Sequence, residues 1–450
     1  MRNRNCARKV RSMDTSSSDK ALVPLRANSD YVRWFISDVV ADGGAAVLSF
    51  AMPLIALSVT GSLTLSGAIA GTTALARVLS MIPGGVIADR YDRRKLLIIG
   101  HGCGVLIWCV GIVLFFVDFL NALTLTGLGV LAGIRDGLFG AVSTPALRQL
   151  VPAAQLPQAL AANQARDGTI QLVSGPTGGF LVALSLWAPF AARAVGHFLA
   201  LFAMRTLRAN LRPRGEDETL PSPLTQVRAG FSWLARRRTI TTVLIIAAVM
   251  SFAMSGAVQT IVLHFAAVGE NSARIGLLPT ALASGMIAGS IVAAPIAKRF
   301  PTGAVAIIST GVMCAVLALL AVADDFIAIF TILAVSAIAL PIFNSAASGW
   351  AISQIPDAKI GMISATSGLL NAILTPFAPF IAGFGLDAAD YFPTVSSFIV
   401  LMFIGALALA FTGEFRRIPR PDQWQFENET SSLHKEEKKG DLPIRDTEAH

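Results

Sequence analysis

Apolar stretches long enough to cross a lipid bilayer, roughly 18 residues or more, recur along most of this chain. Inside a bilayer the backbone finds no water, so every N–H and C=O in such a stretch must be satisfied within a helix or a closed barrel. The stretches show no two-residue alternation of apolar and polar side chains, which excludes a barrel and predicts helices. Charged residues make up 14% of the chain, against roughly 25% in soluble domains. A larger soluble core would not explain that deficit, because it would still need a wetted shell. The expectation is an all-α integral membrane protein of about twelve transmembrane helices. Connections such as Leu186 to Ala188 and Val322 to Asp325 are very short, so consecutive helices should be antiparallel neighbours.

The net charge is +8. In a soluble protein such a balance suggests nucleic acid, but here the basic residues flank the apolar stretches. With the N-terminus inside, the inner segments hold 31 of the 36 Lys and Arg, and the outer loops hold Arg274 alone. Basic residues gather on the cytoplasmic side of membrane proteins, which predicts two cytoplasmic termini, with no nucleic-acid partner. The expected division is a cytoplasmic tail over 1–30, a six-helix bundle over 31–208, a cytoplasmic loop over 209–238, a second six-helix bundle over 239–413 and a disordered tail over 414–450. The first tail holds Arg2, Arg4, Arg8, Lys9 and Arg11 but no apolar run before Tyr31, so it does not read as a signal peptide. Within the loop, residues 225–235 have the pattern of an amphipathic surface helix. Cys6, Cys103, Cys109 and Cys314 show no paired spacing, which supports neither a disulfide framework nor a metal site.

The two bundles echo one another. ARVLSMIPGGVIADRYDRRKLLI at 76–98 is repeated faintly by ASGMIAGSIVAAPIAKRFPTGAV at 283–305. Pro152, in LVPAAQ, falls on Pro356, in QIPDAK, at nearly the same offset. Parallel repeats related by an axis along the membrane normal are the arrangement of a 6+6 alternating-access carrier.

The run Gly85-Val86-Ile87-Ala88-Asp89-Arg90-Tyr91-Asp92-Arg93-Arg94-Lys95 resembles the loop between the second and third helices of the major facilitator superfamily. Asp92 stands where that family usually has Gly, a variant found in the branch containing the enterobactin exporter and the macrolide and tetracycline efflux proteins. PLIALSVTGS at 53–62 and STPALRQLVPAAQLPQALAANQ at 143–164 resemble the same branch. The resemblance covers about 31–413 and implies the major facilitator fold, with Gly85, Asp89, Arg90, Asp92, Arg93 and Arg94 as a conformational clamp. Asp89 would cap the inner end of helix two and face the positive N-terminus of helix eleven. Gly175, Pro176, Gly178 and Gly179 resemble the fifth-helix motif of the family's exporters; small-residue packing is an equally good reading. Two departures stand out. Arg135 is followed by Asp136-Gly137 where the family has Gln-Gly, and Gly361 is followed by Met362 where the branch has Arg.

Ionisable groups at mid-depth in a membrane are costly and usually functional. Here they are Asp42, Arg77, Arg135, Asp136, Arg166, Asp167 and Arg193, with Asp38 one turn nearer the cytoplasm. All belong to the first bundle. At ~1.5 Å per residue, Asp42, Arg77, Arg135 and Arg166 lie roughly 12–20 Å from the inner surface, so they can meet at one height. They are the candidates for proton coupling and substrate binding, with Asp42 preferred because no basic residue sits at i±3 or i±4. Its partner from another helix could be Arg77, Arg135 or Arg166. The competing reading makes these residues Arg–Asp pairs that hold helices together. His197, at the middle of helix six, is a further titratable group, and a lone His is more often structural.

With the deep charges, the resemblance implies a monomeric, proton-coupled exporter of a small amphiphilic molecule, a siderophore or a drug-like compound, in a bacterial cytoplasmic (inner) membrane, with the lipid bilayer as its surroundings and no metal or cofactor. An importer or lysolipid flippase of the same fold is the alternative. A membrane-embedded enzyme or non-transporting sensor is disfavoured, because there is no Walker loop, metal-spaced cluster or nucleophile elbow.

Overall fold

The computed structural model describes residues 24–212, 223–356 and 359–424. Residues 1–23, the linker segment 213–222 and residues 425–450, all parts of the expected tails and loop, lie outside the described residues, as does Cys6. Every regular element among the described residues is helical.

Ten segments are long and apolar enough to span a membrane: α1 (Ser29–Thr60), α2 (Leu63–Arg90), α3 (Arg93–Phe116), α4 (Ala122–Leu150), α7 (Arg238–Ala267), α8 (Ser272–Arg299), α9 (Thr302–Ala321), α10 (Phe326–Ser353), α11 (Met362–Ala389) and α12 (Tyr391–Phe411). Two further helices, α5 (Leu156–Leu184) and α6 (Ala188–Thr206), stand in the same bundle, and with them the count agrees with the expected twelve. Asn163, Gln164, Arg166, Asp167 and Gln171 break the apolar character of α5. Arg193, His197 and Arg205 do the same to α6.

Short polar side chains set the helix starts by accepting the backbone N–H groups that a first turn leaves unpaired. Asn28 does this for α1, Ser62 for α2 and Asp325 for α10. Asn121 and Thr124 form a reciprocal capping box at α4. Between α1 and α2 the chain turns at Gly61, whose φ of +65° suits glycine.

The two halves repeat one packing rule. In the first, glycines of α4 lie against the α2 backbone: a Cβ on Gly133 would sit 3.1 Å from the Arg77 nitrogen. In the second, Gly285 and Gly289 of α8 lie against the Ala334 and Ile338 carbonyls of α10. The seams between the halves follow the same symmetry, α5 on α8 and α11 on α2. A Cβ on Gly175 would stand 2.7 Å from the Gly276 carbonyl oxygen, and Gly179 faces the Ser272 carbonyl. Gly67 of α2 lies under the Pro379 carbonyl, and Gly383 of α11 under the Leu63 carbonyl. The Thr64 N–H donates across this seam to Asp387 at 2.8 Å. The contacts between the halves lie toward the end of the bundle where α1 turns into α2.

The opposite end carries the basic loop between α2 and α3. Asp92, in the place of the family's glycine, caps α3 by accepting the Arg94 N–H at 3.0 Å. Arg94 then caps the end of α6, donating to the Met204 and Arg205 carbonyls at 3.3 and 2.8 Å. Asp89 differs from the expectation of a cap and an interhelix contact: it is exposed and makes no hydrogen bond or ion pair among the described residues. The loop is thus tied to its own half in this structure. A short helix, Pro223–Ala235, packs Gly230 against Thr366 of α11. Residues 414–424 depart from the expected disordered tail. Phe415 is fully buried, packing edge-on against Trp350, and Trp424 donates to the Thr302 hydroxyl at 3.1 Å. Phe415 and Trp424 have apolar surface to hide, which a charged composition concealed.

Candidate functional site

A cavity of about 830 Å³ opens between the halves. α1, α2, α4, α5 and α6 supply its charged wall, and Gly368, Ala372, Thr375 and Pro376 of α11 supply an uncharged one. At Thr375 and Pro376 the α11 helix is interrupted, because proline lacks the N–H needed to continue the ladder. Asp42, Arg77, Asp136, Asp167 and Arg193 all line the cavity.

The expected charges sort into two groups. In the first, Arg166 of α5 gathers three carboxylates, with Asp38 at 2.6 Å, Asp167 at 2.8 Å and Asp42 at 3.3 Å. Its guanidinium is nearly buried, while the Asp42 and Asp167 side chains are 52% and 53% exposed to the cavity. Asp38 is the firmest of these contacts: it also accepts the Ser143 hydroxyl at 2.7 Å, and Trp34 donates to Ser143 at 3.1 Å. Asp38 and Asp42 lie four residues apart and share one helix face, which brings both to the same arginine. The group holds one cation and three anions.

In the second group, Arg193 of α6 meets Asp136 at 3.2 Å and donates to the Ala41 carbonyl of α1. Arg135 also pairs with Asp136, although side chains of adjacent helical residues diverge. The long arginine arm curls back across the turn, and the same reach pairs Arg166 with Asp167. Arg135 goes on to donate to the Gly100 carbonyl at 2.8 Å and contacts His101 Nδ1 at 3.3 Å. His101 lies 3.3 Å from both His197 Nδ1 and the Ser37 hydroxyl. A Cβ on Gly104 would strike the His197 ring, so that glycine makes room for the imidazole.

His101, Ser37, Ser143 and Trp34 escaped the sequence reading. His101 carried the same signal as His197, an imidazole midway along an apolar helix, and could have been found by it. Arg77 lines the cavity alone, with no ion pair or hydrogen bond among the described residues. In the fifth-helix motif, Gly175 and Gly179 form the seam with α8, and Gly178 packs on the Val47 carbonyl of α1. Among the described residues no cluster of His, Cys, Asp or Glu could hold a metal.

The Major Facilitator Superfamily sequence model matches residues 34–270. This chain belongs to the major facilitator superfamily. As a member of that superfamily it is a multi-pass membrane transporter and not an enzyme. Its relatives include the enterobactin exporter EntS of Citrobacter koseri, 26% identical over 430 residues that span 86% of this chain and 92% of the relative. EntS of Escherichia coli O1:K1 / APEC is 27% identical over 388 residues, covering 78% of this chain and 88% of that protein. Among solved structures, a bacterial homologue of the iron transporter ferroportin in an inward-facing state superposes with a TM-score of 0.67 at 13% identity. It covers 88% of this chain and all of that one. A D-xylose-proton symporter gives 0.60 at 16% identity, covering 86% and 97%. At such identities these two structures speak for the fold alone, that of a major facilitator transporter.

Proposed function

We propose that this transporter exports a small amphiphilic molecule, of siderophore or drug-like class, across the bacterial cytoplasmic membrane by alternating access coupled to protons. One observation carries the coupling. Three carboxylates converge on the single guanidinium of Arg166, and two of them, Asp42 and Asp167, face the cavity. The excess of two negative charges can be offset by a proton or by a cationic group of the cargo. Competition between the two at one site is the simplest way to exchange one for the other. Asp42 is the leading proton carrier, because it holds Arg166 at the longest distance and is open to the cavity. Asp38 acts as the structural partner.

The kinship with enterobactin exporters supports export and the siderophore class. The positive-inside distribution supports cytoplasmic termini, which makes the end sealed by α5–α8 and α2–α11 the outer end and the cavity inward-facing. The two six-helix halves, 31–208 and 239–413, would rock as bodies about this cavity, in a monomer. The clamp residues Asp89 and Arg90 would act in the opposite, outward-facing state.

Everted membrane vesicles test this reading, with enterobactin as the probe and an imposed proton gradient. Vesicles containing the chain are expected to accumulate the probe above vesicles without it, and a protonophore should abolish the difference. Accumulation that is indifferent to the gradient would remove proton coupling, and movement in the opposite sense would remove export.

A further inference from the structure

Each of the deep charges named above contacts an opposite charge among the described residues, except Arg77. It sits on α2 midway along the bundle and lines the cavity. Among the described residues it forms no ion pair and no hydrogen bond. Asp136 and Arg193 line the same cavity, so Arg77 faces its polar side rather than lipid.

A cation without a contacting partner at this depth is expensive. A carrier tolerates it where water fills the cavity and a ligand later replaces the water. The backbone beneath Arg77 is held firmly: the Arg77 carbonyl lies over Gly137, and the Arg77 nitrogen lies over Gly133. A fixed Cα and a free guanidinium make a pre-organised donor. Its planar fork of N–H groups matches an oxyanion bidentately. The nearby lining offers Val78, Met81, Trp108 and Ile170 for an apolar body.

We infer that Arg77 is the anion-recognising residue of the cavity, and that the cargo is an amphiphile with a carboxylate or comparable oxyanion joined to an apolar, aromatic-sized body. This rests on the cavity being the transport site, as proposed above. It adds what the carboxylate group around Arg166 leaves open, since that group would recognise cations. The two ends of the polar wall then read opposite signs.

Calorimetric titration of the full purified chain tests the inference, with 2-naphthoate, its methyl ester and 2-naphthylmethylammonium as probes and detergent blanks subtracted. The wild type is expected to bind the acid at least tenfold more tightly than the ester. Arg77→Gln should erase that ratio while the ester affinity stays, which also shows that the variant is folded. Arg77→Lys should recover part of the ratio, because it restores the charge without the fork. An acid preference that survives in Arg77→Gln, or is missing from the wild type while the ester binds, overturns the inference and leaves the transport site standing. If neither acid nor ester binds the wild type, the cavity reading fails together with it.

Discussion

The contact between Asp387 and the first turn of α2 gives a way to move the carrier between its states by a known amount. Asp387, on α11, accepts the Thr64 N–H of α2 at 2.8 Å, so one half caps a helix of the other at the sealed end. Ser62 already accepts the Leu65 N–H of the same turn, and the site is exposed, so water can partly replace the carboxylate. Removing a capping side chain costs about 0.5–2 kcal/mol. The shared, exposed geometry here places Asp387→Ala at the low end, about 0.5–1 kcal/mol. Because the bond exists only while the two halves meet at this end, its whole loss falls on this state. At RT of about 0.59 kcal/mol, the ratio of sealed to open at this end should then drop about two- to fivefold. Spin labels at Phe119→Cys and Val322→Cys, exposed positions on loops of opposite halves at this end, would report the change by double electron–electron resonance. A long-distance population should grow by that factor, with Asp387→Asn in between because its amide oxygen still accepts. An unchanged distance distribution would refute the claim that this cap contributes to closure.

Other expectations follow from the same contacts. Asp42→Asn should abolish gradient-driven transport in proteoliposomes while substrate exchange without a gradient persists; retention of gradient-driven transport would move the proton to Asp167 or Asp136. Asp38→Ala should lower the yield of inserted, monodisperse protein far more than Asp42→Asn does, since removing one partner of a buried pair costs about 3–5 kcal/mol; equal yields would show that Asp38 is not the anchor. Gly179→Leu should hold the sealed end apart, because its side chain meets the Ser272 carbonyl, and the same spin-label pair should read the longer distance. Reporter fusions after Arg238 and after Glu414 should face the cytoplasm, and fusions near Leu186 or Ala388 the other side.

The all-helical, many-span architecture was legible in the sequence, and so was a set of deep charges, of which Asp42, Arg77, Asp136, Asp167 and Arg193 line one cavity. Each follows from helical rise and apolar length, quantities that do not depend on how a helix is rotated. Pairing does depend on rotation. That Asp38 and Asp42 would both reach Arg166, or that His101 would meet His197 and Arg135, requires knowing which faces of α1, α3, α4, α5 and α6 look inward, and nearly uniformly apolar helices conceal this. The curled contacts of Arg135 with Asp136 and of Arg166 with Asp167 ran against a rule about Cβ directions that long side chains evade. Asp92 was recognised as a departure from the family's glycine, but its capping role became visible only with Arg94 docked on the end of α6. The buried Phe415 and the partly buried Trp424 were masked by the basic residues around them.

The account's central claim is that one cavity, walled by Asp42, Asp167 and Arg77, is reached alternately from the two sides of the membrane. Ala46→Cys, a cavity position on α1, can be placed in a background free of other cysteines and probed in sealed, oriented vesicles with a membrane-impermeant maleimide. The account predicts labelling when the reagent is supplied on either side alone, faster from the side of the basic loops, with no leak of the reagent through the protein. Labelling from the basic side only, under every gradient applied, would mean a blind pocket and would contradict it.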